Sequence, residues 1–282
     1  MPKKINFTDQ QEFEIIDLYA NGMQVSHISK KFNVSDRTIQ RLLDYCGKWQ
    51  PDRKRTRQQM RYRDSNYFTN INSWDKAYWL GFIAADGCVR VDNYGRYCLM
   101  ISLSLRDCDH LNLFLSHLKS DYKIHYYELP STVNDATNKM VNLSINDKDL
   151  VEGLFKLGIT PKKSLTLKWP KFPKKFIKAF MLGYFDGDGC WTCGSKNKYN
   201  SFKFNLIGSY DFVEKFQEIL CDKVGVTYTK IRSAARAFCF EYTNKQAILI
   251  GDWFYKNHKF CLNRKMMRYQ SLKSSYNNRK VR

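Results

Sequence analysis

The chain has 282 residues, 43% of them hydrophobic and 15% aromatic, which is enough apolar material for real cores and excludes a disordered polyelectrolyte. It carries 47 Lys+Arg against 27 Asp+Glu, a net charge of +20, and a field of that sign points to a polyanionic partner, nucleic acid first. No apolar run is long enough to cross a bilayer and the start, MPKKINFTDQQEF, lacks a secretory core, so the expected setting is cytoplasmic with no membrane partner.

Nine cysteines are an odd count in a chain without an export signal, and they are expected as reduced thiols. The one close pair, Cys190 and Cys193 in CWTC, has no second pair at zinc-ribbon spacing. The five histidines, at 27, 110, 117, 125 and 258, form no sequence cluster.

Residues 1–47 read as helices. FTDQQEFEIIDLYANG sets Phe13, Ile16 and Tyr19 on one face, with Gly22 at the stop. A short helix around 25–32 follows, then a tight turn at Asn33-Val34 and a helix capped by Ser35. Ile28, Phe32, Val34, Ile39 and Leu42 would form a small core. This stretch resembles the helix-turn-helix DNA-binding family, whose second helix would present Arg37, Gln40 and Arg41 to base edges in a major groove. A plain three-helix bundle is the alternative; the short turn and the Ser35 cap favour groove binding, and the balance of six basic and six acidic residues over 1–47 counts mildly against it.

Residues 48–69 are expected as a basic linker. Its segment KWQPDRKRTRQQMRYRDSN, with Arg53, Lys54 and Arg55, either lies along phosphates or serves as a soluble tether.

From residue 70 the chain repeats itself. WLGFIAADG at 79–87 matches MLGYFDGDG at 181–189 with a shift of 102, and the register continues from Asp109 to Asp211, Phe114 to Phe216 and Lys163 to Lys265. The expected repeats are 70–168 and 169–270, followed by a basic tail, 271–282. Each reads as helix, two strands, helix, two strands, helix, an α+β arrangement used twice. In the first copy strands are expected at 88–92, 97–105, 122–129 and 138–145, with helices at 108–119 and 147–157. In the second they fall at 190–194, 201–208, 226–233 and 236–243, with helices at 210–223 and 244–256. Tyr97, Leu99, Ile101 and Leu103 alternate, as suits a sheet with one face on helices and the other free. Arg90, Lys203 and Arg232 fall on strands and are candidates for contact with DNA across the free faces.

The opening helices pair small residues four apart, Gly81 with Ala85 and Gly183 with Gly187. Such a face lets two backbones approach closely, and Gly87 and Gly189 are expected to terminate the helices. The packing brings Asp86 and Asp188 together. A carboxylate at a helix C-terminus is disfavoured by roughly 0.3–1 kcal/mol unless something positive stands beside it. Two such groups in proximity point to divalent cations, and carboxylate oxygens with water and phosphate suit Mg²⁺.

The doubled motif resembles that of the LAGLIDADG homing endonucleases in their two-motif, single-chain form, over about residues 70–270. The resemblance implies tandem αββαββα repeats with pseudo-twofold symmetry, sheets straddling a long DNA site, and a metal-dependent double-strand break with Mg²⁺ or Mn²⁺. It places the metal ligands on Asp86 and Asp188, with the adjacent backbone of Gly87 and Gly189 available. It also gives a catalytic role to the basic residues late in each repeat, here Lys163 and Lys265. The sixth motif position is Asp186 in the second copy and Ala84 in the first, and is read as structural. The implied protein acts as a monomer on double-stranded DNA, with no protein partner. An intein is not expected, because no splicing nucleophile opens the chain and no His-Asn pair closes it. Two other readings use the same scaffold: a non-cleaving transcriptional regulator and an intron RNA maturase.

Overall fold

The structure, a computed structural model, describes residues 7–20, 23–48, 63–130, 137–194 and 201–280. The chain divides into two compact units, 1–61 and 62–282.

The first unit holds three helices, α1 (Asp9–Ala20), α2 (Val25–Lys31) and α3 (Asp36–Tyr45). Ile15, Tyr19, Ile28, Ile39, Leu42 and Leu43 are buried between them, and Phe32 and Val34 pack at the margin. Phe13, expected on the apolar face of α1 with Ile16 and Tyr19, is 75% exposed. The buried stripe of α1 runs through Ile15 and Tyr19, four apart, which turns Phe13 outward. The tight turn puts Asn33 at φ 52°, a region that asparagine tolerates better than most residues. Ser35 then caps α3, its Oγ accepting from the Thr38 N–H at 3.2 Å. The Ser29 hydroxyl donates to Asp36, which ties α2 to α3. Gly22 lies outside the described residues.

The second unit contains the repeats. Helix α4 (Trp74–Asp86) runs directly into β1 (Gly87–Val91), followed by β2 (Tyr97–Ser104), α5 (Cys108–His117), β3 (His125–Pro130), β4 (Thr137–Asn146) and α6 (Lys148–Lys156). The same succession returns as α7 (Ile177–Asp188), β5 (Gly189–Gly194), β6 (Ser201–Gly208), α8 (Tyr210–Val224), β7 (Arg232–Ala234), β8 (Ala237–Thr243) and α9 (Asn244–Tyr255). Both sheets are antiparallel with matching orders, β1-β2-β4-β3 and β5-β6-β8-β7. The alternation read from β2 holds, with Leu99, Ile101 and Leu103 buried.

Two elements differ from the expected pattern. Strand β7 runs over Arg232–Ala234 and so keeps only residues 232–233 of the expected 226–233, because Val226 turns into the core and Thr227 donates its N–H to the Gln246 side chain instead of a strand partner. A further helix, α10 (Asn263–Lys280), closes the chain and runs through the expected basic tail. Its buried face is Lys265, Tyr269 and Leu272, and a lysine within that stripe hides the helical period from a hydrophobicity scan.

Helices α4 and α7 form the centre. A Cβ on Gly81 would stand 2.0 Å from the Phe180 carbonyl oxygen, and one on Gly183 would stand 2.0 Å from that of Tyr78. The two backbones therefore touch where the small residues fall, as the repeat of i, i+4 pairs anticipates. Large aromatics fill the space around this seam, including the fully buried Trp79, Phe82, Phe180, Tyr184 and Phe185.

Candidate active site

The close approach of the two helices continues to their ends. A Cβ on Gly187 would lie 2.3 Å from the Ala85 Cβ and 3.4 Å from the Asp86 carboxyl carbon. Asp86 thus packs against the residue before Asp188, and the two carboxyls share one floor. Asp86 keeps an open side toward solvent and Asp188 is half-buried, while protein crowds both from below. That desolvation, joined by the charge of Asp188, raises the Asp86 carboxyl to about 6 against the opposing pull of Lys265, Lys163 and Arg264. Asp188 is raised by desolvation too, with Lys163, the Tyr184 hydroxyl and Lys265 opposing.

Gly87 and Gly189 end the helices, as expected, and do so without a left-handed cap. Their φ, ψ pairs are extended, −75°, 142° and −96°, 162°, so any residue could adopt the backbone conformation. Space is what forbids a side chain. A Cβ at Gly87 would stand 2.6 Å from the Ile83 Cγ2, and one at Gly189 would stand 2.0 Å from the Phe185 ring. These glycines let a helix become a strand without a loop, which fixes each aspartate at the joint.

Lys163 sits in a short 3-10 turn, Lys163–Leu165, and Lys265 lies in the first turn of α10. Both are buried. The Lys163 ammonium donates to the carbonyl oxygens of Gly87 at 2.6 Å and Ala85 at 3.2 Å. Lys265 repeats this on α7, within reach of the carbonyl oxygens of Phe185 at 2.8 Å, Asp186 at 2.7 Å and Gly187 at 3.0 Å, and also of Gly189. An ammonium has three donors, so these carbonyls share it. Each lysine neutralises the negative end of a motif helix at the point where a carboxylate is added to it. Burial pulls Lys163 below the ordinary lysine range, opposed by Asp188, Cys88 and Asp86. Burial brings Lys265 to about 8, opposed chiefly by Asp186. Each carboxyl feels both lysines, which makes one centre of the two half-sites.

Among the described residues no three or more His, Cys, Asp or Glu side chains gather as an all-protein cage for a metal. Two carboxyls on an open floor are the donor set of a cation that keeps water and takes phosphate oxygen, so the residues present fit Mg²⁺ or Mn²⁺.

Solved structures share this architecture. I-LtrWI, a LAGLIDADG homing endonuclease bound to target DNA, superposes with a TM-score of 0.52 at 13% identity, covering 77% of this chain and 92% of its own. The LAGLIDADG meganuclease I-AabMI, bound to uncleaved DNA, gives 0.50 at 15% identity over 75% of this chain and 92% of its own. I-SmaMI, bound to an uncleaved DNA target in the presence of calcium ions, gives 0.50 at 15% identity over 72% and 92%. The chain has the LAGLIDADG homing endonuclease fold. No protein-family model and no curated protein matches the sequence.

In the LAGLIDADG unit, the strand residues expected to meet DNA lie away from the helix-covered faces. Arg90 is exposed on β1, Lys203 is half-buried on β6, and Arg232 is exposed on β7. The last two converge on Glu241 of β8, at 3.3 Å and 2.8 Å. In the first unit, Arg37 and Arg41 are exposed on α3 and Gln40 is half-buried. Arg53, Lys54 and Arg55 lie outside the described residues.

Sequence reasoning missed three groups. Glu241 was hidden by its sign, since a search for basic residues passes over the acid that orients them. Arg264 donates to both carboxyl oxygens of Asp107 at 2.9 Å, linking α10 to the first repeat. On the free faces, Asn142 donates to Ser102 at 2.8 Å and Asn205 to Thr192 at 2.9 Å, polar pairs that a period-two reading of each strand could have supplied.

Proposed function

We propose that the protein is a site-specific DNA endonuclease that makes a metal-dependent double-strand break in a long, asymmetric target. The observation that carries this reading is the meeting of Asp86 and Asp188 at the ends of two packed helices, flanked by two buried lysines. The DNA-bound state of the LAGLIDADG structures of like fold supports it.

Asp86 and Asp188 would hold the cation or cations, with the Gly87 and Gly189 backbone adjacent. Bound there, Mg²⁺ or Mn²⁺ supplies positive charge to the attacking and leaving oxygens of a phosphodiester. The chain's own residues do the rest. The helix pair fixes the separation of the two carboxyls, so that each half addresses one strand. Lys163 and Lys265 hold positive charge at the floor, where charge develops on the scissile phosphates. Arg90, Lys203 and Arg232 extend contact along the duplex from the open sheet faces. Sequence differences between the two sheets make the preferred target asymmetric. The front helices add contacts through Arg37, Gln40 and Arg41, and Arg53, Lys54 and Arg55 add positive charge for phosphates. One chain carries both half-sites, so a monomer suffices. No helix among the described residues is long and apolar enough to cross a membrane.

The test is incubation of the purified protein with a library of DNA sites, with and without Mg²⁺. Cleavage of a small set of sites, dependent on the metal, is expected. Asp188→Asn should abolish double-strand cutting and retain binding. A folded protein that cuts no site in Mg²⁺ or Mn²⁺ defeats the proposal, and full cutting by Asp188→Asn defeats the ligand assignment.

A further inference from the structure

The two half-sites differ in how they hold their lysines. Asp186 is buried in α7, and one of its oxygens, Oδ2, accepts both from the Tyr78 hydroxyl of α4 at 2.6 Å and from the Leu262 N–H at 2.8 Å. Leu262 immediately precedes α10, and Lys265 stands one turn later. The Leu262 carbonyl in turn accepts from the Lys265 N–H at 2.8 Å. Asp186 therefore grips the residue that starts the helix from which the Lys265 ammonium reaches the α7 carbonyls. The 102-residue register sets Ala84 opposite Asp186, and alanine has no side-chain acceptor. The same register sets Phe180 opposite Tyr78 and Phe212 opposite His110, whose Nε2 stands 3.0 Å from the Tyr78 hydroxyl. One half-site is thus braced by a polar chain, His110–Tyr78–Asp186–Leu262, where the other has apolar packing.

We infer that Asp186 is a positioning residue for Lys265, acting through the Leu262 amide, and that it serves one of the two strand cuts. The cleavage part rests on the endonuclease reading; the anchoring part does not. The other carboxyl oxygen, Oδ1, has no hydrogen-bond partner. Both useful bonds fall on a single oxygen, so an amide in place of the carboxylate can keep them.

The experiment compares wild type, Asp186→Asn and Asp186→Ala. Strand-resolved single-turnover cleavage is measured on a site selected from the library, with each strand end-labelled differently. Residue-resolved amide exchange by NMR is measured without DNA or metal. Asp186→Ala is expected to slow one strand at least tenfold more than the other, so that nicked DNA accumulates, and to raise exchange at Leu262 at least tenfold. Asp186→Asn is expected to stay within about threefold of wild type on both strands. Equal slowing of both strands by Asp186→Ala, or unchanged exchange at Leu262, overturns the inference. If Asp186→Ala does not fold, wild type still decides: a Leu262 amide that exchanges like an unstructured one overturns it, and a protected amide together with rescue by Asp186→Asn supports it. If wild type cuts no DNA while Leu262 is protected only when residue 186 is Asp or Asn, the endonuclease reading fails and the anchor stands.

Discussion

The Lys163 ammonium lies 2.6 Å from the carbonyl oxygen of Gly87, at the joint where a motif helix becomes a strand. The buried cation thus meets the helix end itself. Lys163→Met should leave those carbonyls without their charged donor at a desolvated site. We expect a loss of about 1–3 kcal/mol in urea unfolding. Cleavage should fall by at least about a hundredfold, within what removing one charge-stabilising donor costs. Unchanged stability would show that water replaces the ammonium freely.

Gly183 fills its place by having no side chain, since a Cβ would stand 2.0 Å from the Tyr78 carbonyl oxygen and 3.0 Å from the Phe82 nitrogen. Backbone cannot rotate aside as a side chain can. Gly183→Ala should push the two helices apart and cost about 3 kcal/mol or more, at the upper end for overpacking. Gly158 and Gly225 have nothing within 4 Å of a built Cβ, so Ala there meets no clash and costs only the strain of a positive φ. Thermal melts of Gly183→Ala and Gly225→Ala side by side check the contrast.

His110 is buried and held down to about 3, mainly by desolvation and then by Arg264, Lys265 and His117. Its folded pKa lies below its unfolded one, so the folded state binds fewer protons and stability falls as pH drops below about 6.5. Between pH 7.5 and 5 this group alone should remove about 2 kcal/mol, roughly 1.36 kcal/mol for each pH unit below 6.5. His110→Phe, which copies the Phe212 of the other repeat, should flatten that slope even if it lowers stability at pH 7.5. Chemical denaturation at several pH values reads the slope directly. An identical slope in the variant would remove His110 as its source.

Glu241 holds Lys203 at 3.3 Å and Arg232 at 2.8 Å on a sheet face. Glu241→Gln should free both cations and remove a negative charge from the face proposed to meet DNA. Affinity for non-specific duplex should rise by about threefold to tenfold, and the log–log salt slope should steepen by about 1. Discrimination among bases at the contacted position should weaken, because the two cations lose their orientation. Fluorescence anisotropy at three salt concentrations measures the first two effects. A library selection measures the third.

Much of this architecture is written in one dimension. The shift of 102 residues, the Gly81/Ala85 and Gly183/Gly187 pairs and the strand alternation of β2 announce two like halves, a close helix contact and sheets with a free face. These features are legible because they rest on periods and on residue size, which survive projection onto a string. Phe13 shows the limit: in α1 two stripes are compatible with the apolar residues, and only packing against α2 and α3 chooses Ile15 and Tyr19. Helix α10 shows it more sharply, because its buried face begins with a lysine whose reason for burial lies nearly 80 residues earlier, in the α7 carbonyls.

By itself the sequence determined that two acidic helix ends recur in register, each followed by a late lysine. Tertiary structure alone decided what those lysines touch, that Asp186 grips Leu262, and that Glu241 stands between Lys203 and Arg232. The division has a physical cause. Local geometry follows from spacing along the chain, whereas desolvation and hydrogen-bond partnership depend on which distant groups the folded backbone brings within about 3 Å.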